Sequence, residues 1–295
     1  MIPTQLAGNL LQGLVLGAVY GMATMGLSLI FGVLKVVNVG HGAFIMVGAF
    51  ASLMAFNFLH LPPVLTIPGA VVLGMALGFI FYYSSISKIL KGPELASLLA
   101  TFAFGVILEE LVKFGFTSEF RGFSWNLGKI DMGSTVLPVT KIVAFAGSVA
   151  FAVILYLWFK KTRTGMAMRS VVEDSVGATV CGVNVDWQYA LSFSLGIGLT
   201  VASGVLLTMF ISVGIHPYMG GEYTLKAFVI AVLGGLSSPY GAFFGGLVFG
   251  LLENGSYTFF AQFQDLEPFA MTRFFSFLML LLILLIRPTG LLKAK

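Results

Sequence analysis

Eight long apolar stretches, at about 6–34, 42–58, 64–87, 94–116, 139–159, 187–213, 224–258 and 268–287, leave this chain few ways to fold. A helix needs about 20 mostly apolar residues to cross a bilayer, and each stretch is near or above that length. The rest of the sequence cannot supply a water-facing coat. Charged residues make up 9% of the chain, against about 25% in a soluble domain. The expected fold class is therefore all-α: a polytopic transmembrane helical bundle of about eight spans, read as a single transmembrane domain over 1–295. The N-terminus lacks a basic region ahead of its apolar run, so that run reads as a retained span and not as a cleaved signal. The single Cys181 excludes an internal disulfide and a multi-cysteine metal site.

Two stretches are interrupted. A break at "NVGHG" (38–42) follows the first, and "GGLSSPYGA" (234–242) divides the seventh. The stretch 224–258 is too long for one span, and two shorter membrane segments joined by a Gly/Ser/Pro turn suit it better. Both breaks run apolar stretch, Gly-rich break, Gly-Ala-Phe, apolar stretch, the pattern of a weak internal repeat with discontinuous helices. Backbone freed inside a membrane must be satisfied by protein or by a water-filled cavity. Asn38 and His41 fall at such a place. They either satisfy the broken backbone or line a path through the membrane, as polar groups at this depth often do. Gly42, Gly234 and Gly235 carry the same choice between close packing and a path. Gly13, Gly17 and Gly21, and the pairs Gly241/Gly245 and Gly246/Gly250, repeat the small-xxx-small spacing of packed helices.

The net charge of +4 points to orientation and not to nucleic acid. One set of loops holds Lys35, Lys88, Lys91, Lys160, Lys161, Arg163, Arg169, Arg287, Lys293 and Lys295. By the positive-inside rule these loops and the C-terminus are cytoplasmic, and the loop 117–138 is external. Glu109 and Glu110 lie about a turn and a half inside the outer end of their span. They read as a salt bridge with Lys113 or as guides for a substrate amino group.

Between 160 and 186 the sequence holds 7 of its 28 charged residues. Ser170-Val171-Val172-Glu173 matches a capping box, Asp174 suits a helix N-terminus, and Gly182 suits a helix stop. The spacing predicts one cytoplasmic helix over 171–181, with Asp186 capping the next span. Its stripe of Val172, Val176, Thr179 and Val183 is expected to hold it to the membrane domain. So short a helix is marginal in water and needs a surface to dock on. That surface is either the protein's own cytoplasmic face or a soluble partner, which the small residues Gly177 and Ala178 would let approach closely.

This polar segment resembles the coupling segment of branched-chain amino acid ABC transporter permeases, where "ED…A…GVN" precedes a span. "GLSLIFGVLKVVNVGHGAF" (26–44), "KAFVIAVLGGLSSPYGAFFGGLVFG" (226–250) and "RPTGLL" (287–292) are similar to that family's other signatures, in the same order. Ser237 departs from the usual Gly, and Glu109-Glu110 is more acidic than the pattern. The resemblance implies a permease subunit of an importer for branched-chain or related amino acids, or a similar small solute, in the bacterial inner membrane. It implies a second related permease subunit, in a heterodimer or a homodimer, together with two cytoplasmic ATPases and an external solute-binding protein. It also implies that Ser170, Glu173, Asp174, Gly177, Ala178 and Gly182 couple to the ATPase.

The sequence has no G-x-x-x-x-G-K-[ST], so ATP would be used by the partners and no cofactor is expected on this chain. Three histidines without H-E-x-x-H give no reason to expect a metal. No base is placed to activate a serine nucleophile, so no catalytic residue is expected. A stand-alone secondary transporter or channel remains the other class, with Glu109, Glu110 and Glu253 as its few candidates for ion coupling.

Overall fold

The computed structural model describes residues 2–90, 92–131, 136–211, 213–263 and 267–286. Lys91, Asp265 and the C-terminal stretch with Arg287, Lys293, Lys295 and the RPTGLL motif lie outside them. Most of the described chain is helical, because a helix hides its own backbone polar groups from lipid. The elements run α1 (Ile2–Leu34), α2 (His41–Leu59), α3 (Pro63–Phe81), a π-helical turn (Tyr82–Ile86), α4 (Ser87–Ile89) and α5 (Glu94–Phe116). A short antiparallel hairpin follows, β1 (Lys129–Asp131) and β2 (Val136–Pro138), with Ile130 opposite Leu137. Then come α6 (Val139–Lys161), α7 (Arg163–Glu173), α8 (Ser175–Val180), α9 (Val185–Leu207), α10 (Gly220–Gly234), α11 (Pro239–Phe260) and α12 (Pro268–Ile286).

The eight apolar stretches all appear in this order. Among the described residues six helices are long and apolar enough to span a bilayer. The seventh stretch is the pair α10 and α11, bent by 111° at the Gly/Ser/Pro break, and the eighth is α12.

The helices sort into an inner and an outer layer. In their most apolar windows α1 and α9 are 83% and 89% buried, whereas α3, α5 and α6 are 17–22% buried. Composition follows position. α9 carries Ser192, Ser194, Thr200 and Ser203 in the interior, each hydroxyl donating to a carbonyl three or four residues back in its own helix. The outer helices present Phe, Leu and Ile to the surroundings, for example Leu99, Phe102, Phe114 and Ile154.

Contact between α1 and α11 depends on glycine. Gly13 faces Gly250 and Gly17 faces Gly246, while a Cβ added at Gly21 would stand 2.6 Å from the Phe243 carbonyl oxygen. Packing is thus the observed role of the small-xxx-small spacing in both helices. Gly26 meets Gly196 and Gly204 meets Ile45 in the same backbone-to-backbone way, which draws α9 against α1 and α2.

The polar segment departs from expectation. The single helix over 171–181 is two helices divided at Asp174. The capping box does not form: Ser170 lies inside α7 and its hydroxyl donates to the Ala167 carbonyl at 2.8 Å. Thr162 caps α7 instead, accepting the Gly165 amide at 3.0 Å. Gly182 does stop the segment. Its φ is +83°, Val183 N–H donates to the Ala178 carbonyl and Gly182 N–H donates to the Thr179 carbonyl, which is a Schellman motif. Asn184, not Asp186, caps α9 by accepting the Trp187 amide at 3.0 Å. Asp186 accepts the Tyr82 hydroxyl at 2.6 Å, tying α9 to the turn after α3.

Candidate functional site

After α1 the chain turns at Lys35, whose φ is +59°, and residues 36–40 run as irregular backbone through the protein interior. Two threonines from distant helices satisfy this backbone. Thr101 on α5 accepts the Val39 amide at 3.1 Å and lies 3.2 Å from the Val37 carbonyl as donor. Thr224 on α10 accepts the Gly42 amide at 2.8 Å. Asn38 and His41 do not share this work. Both are fully buried, and neither the Asn38 amide group nor either His41 ring nitrogen has a hydrogen-bond partner among the described residues. The Ala23 backbone lies beside the imidazole outside hydrogen-bonding geometry.

The glycines near the breaks are held by contact. Gly42 abuts Gly220, and Gly234 abuts Gly241 across the second break. Gly235 makes the turn there with φ +105°, and Ser238 caps α11 by accepting the Gly241 amide at 3.1 Å. Asn38, His41, Gly42, Gly234 and Gly235 therefore stand at the two breaks, and none of them is among the residues that line the two cavities described below.

The polar segment forms an elbow at the basic end of the bundle. Gly165, Met168, Val171 and Ala178 are its buried positions. Of the stripe expected to hold the segment to the membrane domain, Val172, Val176 and Thr179 are exposed and Val183 is half-buried, so this face does not dock the segment as expected; Val180 beside it is 84% exposed. Five of the six residues singled out in this segment, Ser170, Glu173, Asp174, Gly177 and Ala178, come together with Cys181 along a shallow groove of about 330 Å³. Gly182 stands beyond it as the helix stop. On the inner side of α7 a larger cavity of about 540 Å³ reaches from Lys160, Arg169 and Glu173 to Gly32 and to Ser237–Tyr240 of the second break. The elbow and the broken helix thus share one wall.

A second polar cluster lies toward the opposite end, among α10, α11 and α12. Lys226 pairs with Glu253 at 2.9 Å and with Glu222 at 3.2 Å, and its ammonium sits 3.2 Å from the Tyr20 hydroxyl. Arg273 pairs with Glu222 at 3.1 Å. Together with Leu225, Val229, Phe249, Ser276 and Phe277 these four charged side chains line a cavity of about 220 Å³. The sequence held a signal for it, since Lys226 opens the K-A-F motif and Glu222 precedes it by one helical turn. Glu253 reads in the sequence only as a candidate for ion coupling, because its partner Lys226 is 27 residues away in the chain. The ion pair expected on α5 is present: Lys113 meets Glu110 at 3.1 Å, with Tyr218 against both.

The sequence model of the family described as branched-chain amino acid transport system / permease component matches residues 9–284. The high-affinity branched-chain amino acid transport system permease protein LivH of Escherichia coli is 28% identical over 96% of this chain and 94% of its own length. BraD of Pseudomonas aeruginosa, of the same description, is 27% identical with the same coverage. Among solved structures, PsaBC from Streptococcus pneumoniae in complex with Fab superposes with a TM-score of 0.51 at 17% identity, covering 96% of this chain and 92% of that one. That likeness is one of fold. The chain belongs to the family of branched-chain amino acid transport system permease components.

Proposed function

We propose that this chain is the membrane-spanning permease subunit of an ATP-driven importer, moving branched-chain or related amino acids into the cytoplasm. The observation that carries the reading is the family match over residues 9–284, with relatives of that description aligned over 96% of the chain. The complete transporter would add a second related permease subunit, two ATPases that bind the ATP, and an external solute-binding protein. This chain itself would bind no cofactor and perform no covalent chemistry. Its place would be the bacterial inner membrane, with the elbow and the C-terminus in the cytoplasm.

The elbow is the coupling element in this reading. Val176 and Val180 offer an exposed apolar face beside the groove of Ser170, Glu173, Asp174 and Gly177. A clustered apolar face on a water-exposed helix is a docking surface. Closure of the ATPases would press on it, and the shared cavity wall would pass the movement to Ser237–Tyr240 and the bent pair α10 and α11. Solute passes and nothing is cleaved.

The test is reconstitution in proteoliposomes of the permease pair, ATPases and binding protein. Leucine uptake should require both ATP and the binding protein. Uptake by this chain without ATPases would favour a stand-alone transporter and overturn the proposal.

A further inference from the structure

The cavity among α10, α11 and α12 holds charges that packing does not require. Glu253 lies seven residues before the end of α11, about 10 Å along the helix, and Arg273 lies five residues into α12, about 7.5 Å. Glu222 and Arg273 are 44% and 63% exposed on the flank of the bundle. Charged groups at such positions do not face hydrocarbon; they face water or another protein.

The ion pairs leave two unfinished ends. Glu253 is 16% exposed and gives Oε1 to Lys226, while its Oε2 is buried with no hydrogen-bond partner among the described residues. A buried carboxylate oxygen without a donor is costly, and a ligand's ammonium would supply one. Arg273 gives Nη2 to Glu222, and the rest of its guanidinium fork suits a carboxylate. Between these ends the wall is apolar: Leu225, Val229, Phe249 and Phe277. The cavity, about 220 Å³, is below the roughly 300–1,000 Å³ of sites for drug-sized molecules, which suits a single small solute.

We propose that this cavity holds the transported amino acid as a zwitterion. Its ammonium meets Glu253 Oε2, its carboxylate meets Arg273, and its aliphatic side chain lies against Leu225, Val229, Phe249 and Phe277. The inference rests on the importer reading above and adds where, and by what chemistry, the solute is held. A site that only passes its solute need not bind tightly, and a shallow cavity on an exposed flank meets that need.

The experiment uses the complete reconstituted importer, with assembly checked by co-purification of the ATPases. Glu253→Gln keeps size but removes the charge. It should lower leucine uptake by about tenfold or more, since a hydrogen bond to a charged group is lost. Leu225→Trp, on an exposed wall and outside the ion pairs, should lower leucine uptake about tenfold relative to alanine by narrowing the apolar side. Glu253→Lys together with Lys226→Glu separates a receptor from a mere clamp between helices. With Glu222→Gln added to avoid a like-charge contact at 226, the exchanged pair restores the 253–226 ion pair but turns the free end positive, so uptake should stay low relative to Glu222→Gln alone.

Full recovery in that exchanged variant, to the level of Glu222→Gln alone, overturns the proposal. So does an unchanged leucine-to-alanine ratio in Leu225→Trp, and this arm decides the matter if Glu253→Gln fails to assemble. A wild-type importer that moves no amino acid defeats the importer reading itself. One that moves leucine but ignores these substitutions defeats the site alone.

Discussion

Asp174 Oδ1 accepts the backbone amide of Val176 at 3.0 Å, and at this residue the polar segment becomes two helices instead of one. The Asp174 backbone closes α7 by donating to the Ser170 carbonyl, while its side chain starts α8. On either side of this junction Val171 is buried, while Val172, Val176 and Val180 are exposed. Asp174→Ala should loosen α8, because losing such a cap costs about 1 kcal/mol, while Asp174→Asn keeps an acceptor and should retain it. Hydrogen exchange at 175–180 should quicken in the first variant and stay near wild type in the second.

Gly177 lines the groove on the same elbow, and a Cβ added there would meet Asp174 Oδ2 at 2.5 Å. Gly177→Trp should therefore fill the groove and displace the cap together. Val176→Glu changes the exposed face without touching either. If the elbow is where the ATPases dock, both variants should insert normally yet co-purify with less ATPase. Wild-type association in both would remove the elbow from the coupling path.

What could be read in the sequence follows the range of the forces involved. Apolar length marked all eight membrane stretches, because crossing a bilayer is a local requirement. The Gly spacing of α1 and α11 announced close packing, though not which helices meet. At the elbow the local signals competed. Ser170-x-x-Glu173 has the form of a capping box, but Thr162 after Lys160-Lys161 is the earlier cap and pulls Ser170 into the helix interior. With the start moved, the buried face became Gly165, Met168 and Val171. The threonines that satisfy the first break were not legible. Thr101 and Thr224 lie 62 and 182 residues from the amides they accept, and nothing beside them in the chain marks them.

The α1–α11 contact should tolerate almost nothing larger than hydrogen. Gly246 stands against the backbone of Gly21 and Gly17, with no flexible side chain there to yield. Gly246→Leu should separate the helices and cost several kcal/mol, in the range of severe overpacking. Detergent-solubilised protein should lose most of its monodisperse yield. Gly69, which has open space around its Cβ position, provides the contrast: Gly69→Ala should leave yield unchanged.

Labelling should place the two ends of the bundle. The elbow and Trp125 belong to opposite ends, since Trp125 lies in the loop joined to Ile215 through Arg121. In a Cys181→Ser background, Ser175→Cys should react with membrane-impermeant maleimide from the cytoplasmic side, and Trp125→Cys from the external side. Reaction of Ser175→Cys from outside would invert the orientation read from the lysines.

Thr101 is the sharpest test of how the first break is held. Its hydroxyl accepts the Val39 N–H, its one proton is shared between the Leu98 carbonyl at 3.0 Å and the Val37 carbonyl at 3.2 Å, and the residue is fully buried. Thr101→Val is nearly isosteric but leaves the buried Val39 N–H without its acceptor and removes the donor to the Val37 carbonyl. Each buried unsatisfied group costs about 1–3 kcal/mol, so the variant should melt well below wild type in a thermal-shift measurement. Thr101→Ser keeps the hydroxyl and loses one methyl, and should recover most of the difference. If the break needs this hydroxyl to keep α2 starting deep in the bundle, Thr101→Val should also expose 36–40 to hydrogen exchange. If Thr101→Val and Thr101→Ser melt together with 36–40 still protected, the hydroxyl is not what holds the break, and tight packing of Gly40 against Gly105 would be left to do so.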